Sequence, residues 1–130
     1  MIVRRYAQVF GISFLLVWLL GLRSTADAFG VLNSDHAEDT LHLLTGVLLT
    51  YVGFWGSDRA LDLAVLGQGV FYIIIGTYAF VEPDVFGLFP HELALVDNAI
   101  HLGEGVLSIL LVWLLGPSFR GTPARAPRVT

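Results

Sequence analysis

The sequence predicts an all-α integral membrane protein, a four-helix bundle built from a duplicated helical hairpin. Hydrophobic residues make up 55% of the 130 residues and charged residues only 14%, whereas soluble domains carry about 25% charged residues. The chain also contains four long apolar runs, and helix is the state that satisfies backbone amides within a bilayer. Finally, one polar signature occurs twice, 59 positions apart.

Each apolar run predicts one membrane-spanning helix. A crossing helix needs about 20 residues, which the third and fourth runs supply, while the first and second are short and need flanking residues to complete the span. The first run follows Arg4 and Arg5 and resembles a signal peptide. Arg23, between its apolar core and the small residues that follow, argues against cleavage, so we expect this helix to be retained. The spans are expected at residues 6–22, 40–56, 62–81 and 94–115.

The arginines predict the topology. With the N-terminus inside, Arg23 is the one arginine on the outer side, so the positive-inside rule predicts that both termini are cytoplasmic. We expect a multi-pass protein, with the bacterial inner membrane as its location. Residues 1–116 form the membrane domain, and the Pro- and Arg-rich tail at 117–130 is expected to be cytoplasmic. All four histidines fall at the outer side: His36, His42, His91 and His101.

The repeated signature opens the second and fourth spans. It reads acid, Asp or Asn, x, Leu or Ile, His, Leu, x, x, Gly, Val, Leu. The matching positions are Asp39, His42 and Gly46 in the first copy and Asn98, His101 and Gly105 in the second.

With these residues the chain resembles an uncharacterised family of small four-span bacterial membrane proteins, a domain of unknown function. That family carries an Asn-x-x-His-x-x-x-Gly signature on its second and fourth spans, from which Asp39 departs by replacing the first Asn. The resemblance covers the chain to about Gly116. It implies a four-span fold and no particular reaction.

One interpretation of the signature needs no ligand. Asp39 and Asn98 are favoured N-cap types, and the preceding acids suit the positive end of the helix dipole. Gly46 and Gly105 would allow close packing one turn deeper.

A second interpretation is a ligand site. The second and fourth helices of an up-and-down bundle lie diagonally across its core, so His42 and His101 would face each other there. Two inward imidazoles could ligate a haem iron, a chlorin magnesium, or a divalent metal. Glu104 lies three residues after His101 and would complete the metal set.

A third interpretation centres on Glu104, because ionisable groups within a span usually serve a partner or an ion path. Glu104 could then be the central group of a proton or ion conductor.

Composition and spacing exclude several classes of protein. The chain has no Cys for disulfides or thiolate metal sites, and it lacks a basic patch for nucleic acid. Ser108, His101 and Glu104 share one helix face without the geometry of a catalytic triad. We therefore expect no enzyme, and a non-catalytic accessory or structural subunit in contact with the lipid bilayer and other membrane proteins. A respiratory or photosynthetic assembly is conceivable. No cofactor is the leading expectation, with haem, chlorin or a divalent metal as the alternatives.

Overall fold

The computed structural model describes residues 2–21, 36–82 and 95–118, and these residues form helices and short turns. The predicted all-α fold with four helices is confirmed. Arg23, His91 and the tail from residue 119 lie outside the described residues. The helices are α1 (Ile2–Gly21), α2 (His36–Phe54), α3 (Asp58–Tyr78) and α4 (Leu95–Leu115).

The helices pack mainly as two pairs, α1 with α2 and α3 with α4. Glycines allow their backbones to touch. A Cβ added at Gly105 would lie 2.7 Å from the carbonyl oxygen of Gly69, and one added at Gly46 would lie 3.0 Å from the amide nitrogen of Leu15. Small residues permit such close approach between membrane helices, so each pair is a tightly packed hairpin.

Arg4 closes one end of the first hairpin. Its guanidinium donates hydrogen bonds to the carbonyl oxygens of Val52, Gly53 and Gly56 and forms an ion pair with Asp58 at 2.8 Å. The last carbonyls of a helix have no intrahelical donor and carry partial negative charge. One side chain of α1 therefore satisfies the end of α2 and fixes the turn into α3.

The bundle buries polar groups together with an apolar core, and its outer surface is apolar. Exposed large hydrophobic side chains occur on all four helices. In a bilayer this outer surface faces lipid, while the polar groups satisfy one another within the protein. The buried polar or charged residues are Glu38, Asp39, Thr45, Asp62, Gln68, Asp97, Asn98, His101, Glu104 and Ser108.

Three of the helices, α1, α3 and α4, are long and apolar enough to cross a membrane. α2 has 19 residues and falls short because its first two turns contain Glu38, Asp39 and His42. The polar residues that interrupt α2 belong to the candidate site.

Candidate metal site

Three side chains from two helices converge near the ends at which α2 and α4 begin. One ligand atom from each of Glu38, His42 and His101 lies within 4.8 Å of the other two. Within the described ranges, the backbones of α2 and α4 make no close contact. The side chains therefore bridge the bundle diagonal, as the duplicated signature predicts for the two histidines.

Helix geometry positions each ligand. Glu38 and His42 are four residues apart on α2, so both project from one face of that helix. His101 lies six residues into α4, which is about 9 Å at 1.5 Å per residue. His42 lies at the same depth in α2, which begins at His36. The two imidazoles consequently meet at one level of the bundle.

Burial makes any unsatisfied polar atom in this group energetically costly. Glu38 is 4% exposed and His101 is 6% exposed, while His42 is half-buried. The Nδ1 atom of His101 is buried and has no hydrogen-bond partner among the residues that the structure describes. A buried polar atom left unsatisfied costs about 1–3 kcal/mol. An ion bound at this nitrogen would remove that penalty.

Two aromatic rings hold the histidines in place. Phe14 of α1 stacks on His42 with ring centroids 5.4 Å apart, and Tyr72 of α3 packs on His101 at 5.0 Å. Phe14 and Tyr72 also stack on each other at 5.8 Å. Each hairpin thus supplies one aromatic ring and one imidazole. The four rings form a packed row whose two ends, the imidazoles, also lie close to each other.

This row favours a small ion over a macrocycle. Phe14 and Tyr72 are both buried core residues, with Tyr72 only 1% exposed. A haem or chlorin ring between His42 and His101 would have to displace them. A single ion needs only small side-chain rotations.

The ligand separations are near those of a metal centre. Zinc binds imidazole nitrogen and carboxylate oxygen at about 2.0–2.2 Å, so ligand atoms on one tetrahedral ion lie about 3.4 Å apart. Because the ligand atoms all lie within 4.8 Å of one another, each pair needs a contraction of at most about 1.4 Å to reach that separation. Such a movement is within the reach of Glu38, which has three side-chain torsions.

Glu104, the third ligand predicted from the sequence, belongs to a different polar cluster. Its Oε1 accepts a hydrogen bond from Gln68 Nε2 at 2.7 Å. Ser108 donates to Gln68 Oε1 at 3.1 Å, and Tyr6 and Ser108 share a hydrogen bond of 2.6 Å. Glu104, Gln68, Ser108 and Tyr6 form one buried chain across three helices, which we call the Glu104 chain.

The predicted caps occupy different positions from those expected. α2 begins at His36 and α4 at Leu95, so Asp39 and Asn98 lie inside their helices rather than at the N-caps. The reason is that residues before each of them continue the helix. The Asp39 carboxylate packs against Gly21, where an added Cβ would collide with it. Asn98 is buried, and its Oδ1 has no hydrogen-bond partner within the described segments.

Sequence reasoning missed Glu38 as a ligand and Phe14, Tyr72 and Gln68 as supporting residues. The signal for Glu38 was its position four residues before His42, a spacing that places both on one helix face. Gln68 is an uncharged polar residue in an apolar span, which indicates an inward position. Phe14 shares a helix face with Gly11, and Tyr72 shares one with Gly69 and Gly76. This pattern indicates an inward position for both aromatic residues, but it does not indicate contact with the histidines.

Residues 2–55 match a family described as a domain of unknown function (DUF4383). The match confirms the resemblance to an uncharacterised family over α1 and α2, which supply Glu38 and His42. No curated protein and no solved structure is significantly similar to this chain.

Proposed function

We propose that this chain is a four-span membrane protein that binds one divalent transition-metal ion through Glu38, His42 and His101. The observation that carries the proposal is the convergence of these three side chains from α2 and α4. The buried, unsatisfied Nδ1 of His101 supports it independently. The proposed role is binding, and no reaction is assigned to the site.

The donor set selects the class of metal. Imidazole suits zinc, copper, iron and nickel, whereas magnesium and calcium prefer sites made of oxygen ligands. Two imidazoles and one carboxylate match the three-ligand zinc sites that leave a position open for water. Zinc is therefore the probe of choice.

The membrane arrangement is part of the same proposal. Leu44, Val47, Leu48 and Tyr51 of α2 are exposed large hydrophobic residues, which supports a crossing by α2 beside α1. Four crossings place both termini on one side, and the arginine distribution favours the cytoplasmic side of the inner membrane. The metal site then lies near the outer surface.

The duplicated hairpin is also proposed rather than established. Its support is that Gly46 and Gly105 each pack on the facing helix of their own pair, against Leu15 and Ile73 respectively. Those partner residues lie 58 positions apart, nearly the spacing of the two signatures.

The test is a zinc titration of metal-stripped protein in mild detergent. We expect one ion per wild-type chain and a severe loss of affinity in His42→Ala and in His101→Ala. The loss of affinity should be larger than about 10–100-fold, which is the usual effect of changing a residue that supports a direct ligand. Glu82→Gln, which removes an exposed carboxylate outside the helices, is the control and should bind like the wild type. Equal affinity in the wild type and in a double histidine variant would contradict the proposal.

An accessory role in a membrane assembly is a second candidate. Trp55 and Trp113 are 72% and 73% exposed, and large aromatic residues are enriched where proteins meet each other and at membrane interfaces. Purification from native membranes under mild conditions tests this role. A stoichiometric protein partner that is lost in a Trp113→Ala variant supports it, and a homogeneous chain without a partner contradicts it.

A further inference from the structure

The first residue of the repeated signature is an acid in both copies. Glu38 precedes His42 by four residues in α2, and Asp97 precedes His101 by four residues in α4. Residues four apart lie on one helix face, so each acid lies about one turn before its histidine. Glu38 is already part of the candidate metal site, which raises the question of what Asp97 does.

Asp97 is as deeply buried as Glu38. It lies in the first turn of α4 and is 3% exposed. Burial of a carboxylate is costly unless opposite charge or hydrogen bonds compensate. Asp97 makes an interaction within the protein, and its position one turn before His101 places it at the end of the bundle where the candidate site lies.

Charge balance gives Asp97 a specific role. A divalent ion bound by two neutral imidazoles and one carboxylate keeps one net positive charge. An uncompensated charge is unfavourable in the low dielectric of a membrane domain. A second carboxylate makes the site neutral, and Asp97 occupies the position in α4 that Glu38 occupies in α2.

The shorter side chain of Asp97 determines how it acts. The ligand atoms within 4.8 Å of one another come from Glu38, His42 and His101, and Asp97 is outside that group. Three protein ligands leave a position for water on a four-coordinate zinc ion. A metal-bound water can bridge the ion to a carboxylate that does not reach it directly.

We infer that Asp97 is the second carboxylate of the metal site, which neutralises the ion and accepts a hydrogen bond from metal-bound water. The inference rests on the proposed function. Its geometric basis is the pairing of Asp97 with His101 on one face of α4, in the arrangement that Glu38 and His42 have on α2.

The test measures zinc affinity for Asp97→Asn, Asp97→Glu and Glu82→Gln in full-length, metal-stripped protein in detergent. Asp97→Asn keeps the shape of the side chain and removes its charge. Zinc affinity should therefore fall about 10–100-fold, the usual effect of changing a residue that supports the direct ligands. Asp97→Glu keeps the charge and should retain wild-type affinity. Glu82→Gln is the control for removal of an exposed carboxylate that is not part of the cluster.

Thermal unfolding of the metal-free variants separates this role from a structural one. We expect metal-free Asp97→Asn and Asp97→Glu to unfold cooperatively with similar midpoints. A difference in their zinc affinities then reports the charge at the site rather than the loss of the interaction that Asp97 makes within the protein. Wild-type affinity in Asp97→Asn, combined with a loss in His42→Ala and His101→Ala, overturns this inference and leaves the proposed function standing. Unchanged binding in the histidine variants overturns both.

Discussion

Two buried glutamates have different surroundings, and this difference decides which one can bind a metal. Glu38 lies with His42 and His101, whereas Glu104 is hydrogen-bonded to Gln68. The sequence placed Glu104 in the site because it is three residues from His101. It could not show that Gln68, on another helix, holds the Glu104 carboxylate.

The two glutamates give a matched pair of variants. Glu38→Gln should weaken zinc binding strongly because it removes an anionic ligand, while Glu104→Gln should leave zinc affinity nearly unchanged. Competition with a chromogenic chelator measures both. A larger loss in Glu104→Gln than in Glu38→Gln would contradict the assigned ligand set.

The Glu104 chain makes its own prediction about stability. Gln68→Leu removes the donor to Glu104 and should lower the free energy of unfolding by about 1–3 kcal/mol, the cost of a buried group left unsatisfied. The double variant Gln68→Leu/Glu104→Leu should recover the part of that loss that comes from Glu104, because removing both partners can be nearly neutral. Ser108 still lacks its acceptor on Gln68 in both variants. Unfolding in mixed detergent micelles measures both effects, and no recovery in the double variant would show that the two residues act independently.

Proton or ion conduction through Glu104 stays a prediction, and a flux measurement tests it. In proteoliposomes under a pH gradient, Glu104→Gln would abolish proton flux while the protein remained folded. Wild-type vesicles that leak no faster than empty ones would exclude this role.

At the level of helices, the close approach of α3 and α4 depends on particular glycines. A Cβ at Gly105 would meet the Gly69 carbonyl oxygen and the Ile73 side chain, both at 2.7 Å, whereas a Cβ at Gly103 has open space around it. Both glycines lie in α4. They therefore separate the effect of packing from the effect of helix propensity.

Gly105→Ala should destabilise the protein by about 1–3 kcal/mol, the usual cost of overpacking. Gly103→Ala should be neutral or stabilising by up to about 1 kcal/mol, since Ala favours helix over Gly. Thermal unfolding in detergent compares the two variants. Equal effects would contradict the close contact between α3 and α4.

The helices were predictable from the sequence because each apolar run is long and free of internal proline. The residues at which the helices begin were less predictable. Asp39 and Asn98 are favoured capping residues, yet α2 and α4 begin three residues before them. The capping preference of one residue contributes less than the packing of a whole helical turn. Glu38 and Asp97 are buried, so the first turns of α2 and α4 pack inside the protein.

At the level of the whole molecule, the proposed metal site joins two hairpins that otherwise pack mainly within themselves. The first hairpin contains Glu38 and His42, and the second contains His101. The repeat in the sequence predicted that the histidines would meet. It could not predict the aromatic row of Phe14 and Tyr72, because that contact depends on how α1 and α3 approach each other.

Metal binding should therefore stabilise the association of the hairpins. Zinc at about 100 times its dissociation constant adds about 2.7 kcal/mol to the stability of a protein that binds it only when folded. We expect a clear rise in the thermal midpoint of the wild type with added zinc and none in His101→Ala. An equal rise in both would show that zinc acts elsewhere.

X-ray absorption spectroscopy of the zinc-loaded wild-type protein tests the central claim most directly. The account predicts two imidazole ligands at about 2.0–2.1 Å, with oxygen ligands completing a four-coordinate ion, and loss of one imidazole signal in His101→Ala. A zinc ion surrounded only by oxygen atoms, with the same spectrum in His101→Ala, would contradict it.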